Sequence, residues 1–529
     1  MKIISRFLLA AALLSTATSC EKFLDINDNP NSATSATADQ ILASALVTTA
    51  ANYNGGVAAG QNFNSYASWA AGYWGKSGVV NGYAEERTYN YTTSYYQNLW
   101  SQTYDNLNDY NLIQQQAAAY PNHAAIARIM KVYNFLLLVD EYGDIPYFTA
   151  LKAAGNTTPS YDRAADIYKD FIVQLTGAVG DINAATGGAA VGAEDVVFRG
   201  DMTKWKKFAN SLKLRILLRE SQTNDATLNA AIRTEMTALQ AAPDGFITTD
   251  VLVQPGYSQS ANQQNPFYNR YGKTAGGTAS TEQLYQIPTN YILTQYTSNN
   301  DPRVSQLYAQ GLRNGTAQYV GTDLGERSPA GNTATLKASF FLDGGGLLKG
   351  PNAPTALMLL SEHLFNKAEA ETRGLFTGGD ASAKTDYQDG IKASFMYFYR
   401  SANGTVNTIA ETATNSSIAG VAQYNTYIAA NTTNPKVNYD LAPTGTLGKQ
   451  EVIIYQKYLA ENSVASTEAW DDYRRTGLPA IPASLESIST RPDKLPTRLL
   501  YPLTEINTNQ ANIPTGVDQF SKIFWDVKD

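Results

Sequence analysis

His123, His363 and Cys20 are the whole supply of imidazole and thiol in a chain of 529 residues. A Ser–His or Cys–His nucleophile needs imidazole beside the attacking atom. Neither histidine stands near a nucleophile signature, and no Gly-x-Ser-x-Gly elbow occurs. A zinc site drawing its ligands mainly from Cys and His is excluded by the same shortage. Each histidine is expected as a packed or exposed helix residue. The adjacent acids Glu85-Glu86 and Asp471-Asp472 could serve glycoside hydrolysis only if two carboxyls faced each other across a sugar. Neighbouring side chains point apart, so these pairs are expected as solvated charge. Gly75-Lys76-Ser77 resembles the end of a phosphate-binding loop, but the required glycine five residues earlier is Ala70. Gly344 and Gly346 would need a third glycine at 349 to make a dinucleotide fingerprint, and that position is Lys349. Asp25, Asn27 and Asn29 start like a calcium loop that Pro30 and Ala36 then break. These residues point to no catalytic constellation, cofactor or metal.

Aromatic chemistry is abundant instead, with 34 Tyr, 18 Phe and 6 Trp. Seven of those tyrosines fall between Tyr66 and Tyr96, together with Trp69 and Trp74. Gln61, Asn62, Asn64, Asn81 and Asn90 place amides among them. A second group has the same chemistry in a Gly- and Pro-rich stretch: Tyr257, Gln263, Gln264, Asn265, Phe267, Tyr268, Asn269, Arg270 and Tyr271. Aromatic faces hold the C–H faces of sugar rings or apolar peptide side chains, while phenol and indole edges keep a hydrogen bond. The candidate ligand-binding residues are therefore Tyr73, Trp74, Tyr83, Arg87, Asn265, Tyr268 and Tyr271. The alternative for each aromatic is core packing, which is the expectation for Tyr96 and Trp100.

These side chains must be carried by mainly helical elements. Tyr96, Leu99, Trp100, Thr103, Leu107 and Tyr110 fall on one face of a helix, and Ile126, Ile129, Met130, Tyr133 and Leu137 on another, with a Tyr120-Pro121-Asn122 turn between. The spacing predicts further helices through Ala164–Leu175, through Trp205–Ile216 with Asp201 near its start, through Leu357, Leu360, Leu364 and Ala368, around Ile391–Phe398 and around Val452–Leu459. Recurring helical hairpins suggest a tetratricopeptide-like stack, whose units bury their faces against neighbours. Residues 248–350 and 405–448 lack that period and are rich in Gly, Asn, Thr, Ser and Pro, so they are expected to build a binding surface on one side of the scaffold.

Charge and leader bound the partners. Lys and Arg number 40 against 47 Asp and Glu, a net charge of −7, without the basic excess that nucleic acid demands. Lys2 and Arg6, the apolar stretch from Phe7 to Leu14, and Ala17-Thr18-Ser19 before Cys20 read as a secretory signal too short to span a bilayer. The position of Cys20 predicts lipidation there and removal of residues 1–19. Residues 20–39 would then be a tether to outer-membrane lipid, and 40–529 the folded body.

Longer segments carry a resemblance. They include Cys20-Glu21-Lys22-Phe23-Leu24-Asp25, Tyr142-Gly143-Asp144-Ile145-Pro146-Tyr147 and Pro159-Ser160-Tyr161-Asp162. Further along come the run from Trp205 to Arg215, Asn300-Asp301-Pro302-Arg303, Lys367-Ala368-Glu369-Ala370 and Glu468-Ala469-Trp470. Tyr473-Arg474-Arg475-Thr476-Gly477, Arg498-Leu499-Leu500-Tyr501-Pro502 and Phe524-Trp525-Asp526 complete the series. In that order they resemble the SusD/RagB family of outer-membrane nutrient-binding lipoproteins, in particular its SusD-like branch. Physically the segments look structural: Pro146 should stop a helix, and Arg474-Arg475 can pair with Asp471 or Asp472 or with helix C-terminal carbonyls. The resemblance implies a mainly α fold of four tetratricopeptide-like pairs with long irregular loops and a few short strands. It also implies a SusC-like TonB-dependent transporter as partner, over which the lipoprotein closes as a lid on its cargo. An oligosaccharide is the expected ligand. A peptide, a lipid-anchored glycoside hydrolase and a transporter partner without a working pocket remain open.

Overall fold

The structure is a computed structural model that describes residues 36–55, 61–444, 446–491 and 494–527. Cys20, the signal segment and most of the expected tether lie outside the described residues. The body opens with α1 (Ala38–Tyr53), α2 (Phe63–Ala70), strand β1 (Trp74–Lys76) and the short α3 (Ala84–Thr88). The expected hairpin follows as α4 (Asn98–Gln114) and α5 (Pro121–Tyr142), with Pro121 at a helix start, where a missing N–H costs no bond. Then come α6 (Ala164–Ala184), α7 (Met202–Glu220) and α8 (Ala226–Gln240). Asp201 caps α7 by accepting the N–H of Lys204.

Short elements punctuate residues 248–358: β2 (Val251–Val253), α9 (Pro266–Tyr271), β3 (Gln286–Pro288), α10 (Asn290–Thr297), α11 (Val304–Leu307), β4 (Gly311–Arg313), β5 (Thr316–Gln318), β6 (Leu336–Lys337) and β7 (Thr355–Met358). The strands pair antiparallel as β1 with β3, β2 with β7, and β5-β4-β6. The remainder is α12 (Leu360–Thr372), α13 (Gly379–Tyr399), α14 (Val421–Ala430), α15 (Thr446–Glu461), α16 (Ser466–Thr476) and α17 (Leu503–Thr508).

Helix α4 packs on α1 and α5, α5 on α6, and α6 on α7; α12 packs on α7, α13 and α15, and α15 on α16. This is the expected mainly α, tetratricopeptide-like scaffold, with long irregular loops and few short strands. One apolar cluster runs through it from Ala38 to Trp525.

Three local expectations change. Leu357 belongs to β7 rather than to the helix that starts at Leu360. Tyr96 precedes α4, in a left-handed conformation at φ 51°, instead of lying on the helix face. Helix α5 ends before Pro146 is reached, because Gly143 takes the positive φ of 74° that closes it.

Beneath the apolar cluster lies a buried ionic core shared by α5, α7, α12, α15 and α16. Arg215 Nε and Nη2 each donate to Glu362 at 2.8 Å. Arg219 pairs with Asp140, Glu468 and Asp471, and Arg474 with Glu141 and Asp471. Arg475 Nη1 donates to Glu369 at 2.7 Å and its Nε to Asp472 at 2.7 Å, while Lys457 Nζ lies 2.9 Å from Asp472. Asp471-Asp472 is thus buried and paired, not solvated as expected. With Glu461 the eight carboxyls face five cations, all buried. Burial raises Asp140 to about 7, Glu141 to about 8, and Glu461 well above the ordinary range, so retained protons offset the acid excess. Burial also pushes Asp472 up, but Arg475 and Lys457 outweigh it and hold that carboxyl at about 2.

Candidate functional site

The β1–β3 ribbon brings together two segments some two hundred residues apart in sequence, with Trp74 opposite Pro288, Gly75 opposite Ile287 and Lys76 opposite Gln286. Gly75 is required there, because a Cβ would sit 2.3 Å from Thr322 Cγ2. Its Gly-Lys-Ser run is a strand and its exit, not an anion loop. Beside the ribbon opens a cavity of about 280 Å³. The first segment lines it with Gln61, Ser65, Trp69, Tyr83, Glu85, Glu86, Ser94, Tyr95 and Tyr96; the second contributes Arg270, Tyr271, Glu282 and Gln286.

Local structure fixes each side chain. Asn62 caps α2 by accepting the Ser65 N–H, which sets the face on which Ser65 and Trp69 fall one turn apart. Tyr83 precedes α3 in a left-handed conformation at φ 61° and lays its ring 4.7 Å from the Trp69 centroid at an interplanar angle of 30°. The Tyr83 hydroxyl accepts from Gln286 Nε2 at 2.5 Å, and the same amide lies 3.4 Å from Glu282 Oε2. Among the described residues, Gln286 Oε1 is buried without a hydrogen-bond partner. An orphaned acceptor of this kind is costly unless a ligand or water fills it.

Arg270, on α9, pairs with Glu282 and stands 5.7 Å from the Tyr271 ring centroid. The Tyr96 hydroxyl donates to Ser65 Oγ at 3.2 Å, with the Tyr95 ring 4.8 Å and the Tyr66 ring 5.7 Å away. Glu86 is buried and pushed up to about 7 by that burial, which corrects its expected place as solvated charge. The lining offers flat apolar rings, planar hydrogen-bonding groups of both signs, and neither imidazole nor thiol. Such an arrangement suits reversible binding of a polar molecule with apolar faces.

Of the seven candidate residues, Tyr83 and Tyr271 line this cavity. The other five lie elsewhere. Tyr73 is buried under Tyr458, its hydroxyl donating to the Tyr458 carbonyl at 2.6 Å. Trp74 is fully buried, its Nε1 donating to Ser463 Oγ at 2.7 Å. Both are core, because the loop-like sequence around them is a strand pressed against α15 and the turn that follows it. Asn265 is the cap of α9, and its amide also donates to the Ala353 carbonyl at 2.9 Å. Tyr268 is buried and reaches Asp343 at 3.2 Å. Arg87 pairs with Glu486 outside the lining. Glu282 and Gln286 were not singled out by the sequence. Nothing local marks them, since only the pairing with β1 carries them in. Tyr96 is in the apolar cluster, as expected, and also borders the cavity. The 405–448 segment, expected on the binding surface, contributes none of the lining.

Both histidines are buried: His123 Nε2 is 2.9 Å from Glu194 Oε1, and His363 packs on Phe246, where burial lowers it to about 3. Among the described residues no group of three or more His, Cys, Asp or Glu is placed to hold a metal. No helix among them is long and apolar enough to cross a membrane.

No curated protein sequence matches this one. Among solved structures, a chitin-binding protein superposes with a TM-score of 0.69 at 23% identity, covering 93% of this chain and 100% of its own. A SusD-like protein from Bacteroides thetaiotaomicron gives 0.72 at 21%, covering 93% and 99%. A Bacteroidetes SusD-like protein gives 0.70 at 20%, covering 93% and 100%. Likeness at these identities shows a shared fold. The sequence itself matches, across residues 30–502, the SusD-like family described as starch-binding associating with outer membrane. With that match spanning most of its length and the same helical scaffold beneath it, the chain belongs to the SusD-like family.

Proposed function

We propose that the chain is a glycan-binding lipoprotein of the outer-membrane surface that holds an oligosaccharide in the Tyr83–Gln286 cavity and passes it unaltered to a SusC-like TonB-dependent transporter. The observation that carries the reading is the convergence of the Trp69–Tyr83 ring pair with the unpartnered Gln286 acceptor and the Arg270–Glu282 pair. Rings take the apolar faces of a sugar, and the planar groups take its hydroxyls. The family description and the chitin-binding neighbour support a glycan as the class. Attachment through an acylated Cys20 follows from the signal segment, and the lining holds no imidazole or thiol nucleophile.

Calorimetric titration with α-glucan and chitin oligosaccharides tests the reading. Binding that is lost in Tyr83→Ala and Arg270→Ala, at unchanged melting temperature, is the expected result. Binding that survives both substitutions, or shortening of the glycan during incubation, overturns it. Glu85, Glu86 and Glu282 against the single cation Arg270 favour a second ligand class, a basic peptide. Oligolysine and maltohexaose in the same titration separate the two.

A further inference from the structure

A second cavity, of about 270 Å³, lies on the helical scaffold between α4, α5, α6 and the 147–151 turn. Its polar wall is Asn111, Arg128, Lys131, Asp170 and Gln174, and its apolar side includes Phe135 and Phe148. Lys131 is the unusual member. Arg128 is engaged within the protein, with Nε donating to Gln174 at 2.7 Å and Nη1 to Asp181 at 2.8 Å. Asp170 Oδ2 accepts from the Tyr147 hydroxyl at 2.6 Å and its Oδ1 from the Gln174 amide at 3.2 Å. Among the described residues, Lys131 Nζ has only a 3.3 Å bond to Asn111 Oδ1, and no carboxylate stands within ion-pair distance of it. Partial burial, reinforced by Arg128, lowers this amine to about 8. It is an ammonium with donors to spare, inside a concavity.

The turn above it is pre-set. Asp162 accepts the N–H of Tyr147 at 2.9 Å and of Phe148 at 2.8 Å, and Asn111 Nδ2 holds the Leu151 carbonyl at 3.2 Å. These contacts fix Phe148 at the rim with half its surface in solvent. An ammonium with unused donors and a half-exposed aromatic face lining one concavity suit a ligand that joins an anionic group to an apolar ring face.

We propose that this cavity is a separate subsite for an acidic sugar, a uronic-acid residue whose carboxylate pairs with Lys131 Nζ while its ring lies against Phe148. The subsite shares no residue with the Tyr83–Gln286 cavity and stands whether or not that cavity takes glycan.

The test is titration of the purified chain with digalacturonate and with its neutral counterpart galactobiose. Digalacturonate should bind at least about tenfold more tightly, and Lys131→Met should remove that preference. Phe148→Ala should weaken binding with melting unchanged, because its ring is half exposed, and this guards against misfolding of the Lys131 variant. Tyr83→Ala should leave digalacturonate binding intact, which separates this subsite from the other cavity. Equal affinity for the acidic and neutral sugars, or a preference that survives Lys131→Met, overturns the proposal.

Discussion

The cavity beside the β1–β3 ribbon and the ionic core beneath the apolar cluster are built from similar groups. Each holds tyrosines, arginine–carboxylate pairs and at least one carboxyl that burial has raised to about 7. They differ in closure. Around the ribbon the polar atoms line an opening; in the core, five cations and eight acids are sealed among helices and pair with one another, although Glu141 Oε2, both Glu461 oxygens and Arg474 Nε make no hydrogen bond among the described residues. Shifted acidity alone would have chosen the core as the active centre. Closure identifies it as framework, since a removed partner there leaves a bare charge in a dry interior.

The largest test of that contrast is Arg474→Met. It strips the partner from Glu141 and Asp471 and should cost about 3–5 kcal/mol in denaturant unfolding, while any protein that folds keeps its glycan affinity. An unchanged midpoint would remove the core's claim to be framework. Trp74→Ala should follow at about 3 kcal/mol, by opening a hole under Phe341 and Tyr271 and freeing the Ser463 hydroxyl. If it weakened ligand binding at full stability, the tryptophan would have to be reassigned to the cavity.

Glu220 sharpens the comparison from the pH side. It is buried at the end of α7 with one oxygen unpartnered, and burial raises it to about 8. Between the ordinary carboxylate value and about 8 the folded chain keeps a proton that the unfolded chain has released, so stability falls as pH climbs through that window. Glu220→Gln should be neutral at pH 4 and stabilise by on the order of 2 kcal/mol at pH 9, read by unfolding at both pH values. A variant no more stable at pH 9 would show that the carboxyl is solvated. Smallest in energy is Gln286→Ala, which should weaken glycan binding about tenfold while moving stability by less than about 1 kcal/mol. Unaltered affinity would exclude the amide from the ligand contacts.

The helices were legible because the 3.6-residue period survives in single faces such as Ile126, Ile129, Met130, Tyr133 and Leu137. Start signals were legible too: Pro121 and Asp201 sit where their chemistry places them. For the cavity, the sequence named the two segments that meet and misjudged which side chains face it. Whether Tyr73 and Trp74 face a ligand or the core stayed open because a three-residue strand and the residue before it carry no period of their own, and their burial is set by distant partners such as Tyr458 and Ser463. Tyr96 is core as its spacing suggested, although the helix that spacing matched begins two residues later. Pairing of Asp471 and Asp472 with Arg474 and Arg475 was legible from their spacing on one helix, whereas Lys457 on α15 and the burial of the whole cluster were not.

The ribbon also constrains how the molecule can drift. Side chains on a strand alternate between faces, so Gln286 and Ile287 point opposite ways, the amide to the opening and the isoleucine to a small apolar nucleus with Val320 and Phe340. A slip of β3 by one step against β1 would exchange the two, giving the opening a hydrocarbon wall and the nucleus a stranded amide, so one pairing holds both the strand register and the chemistry of the cavity wall.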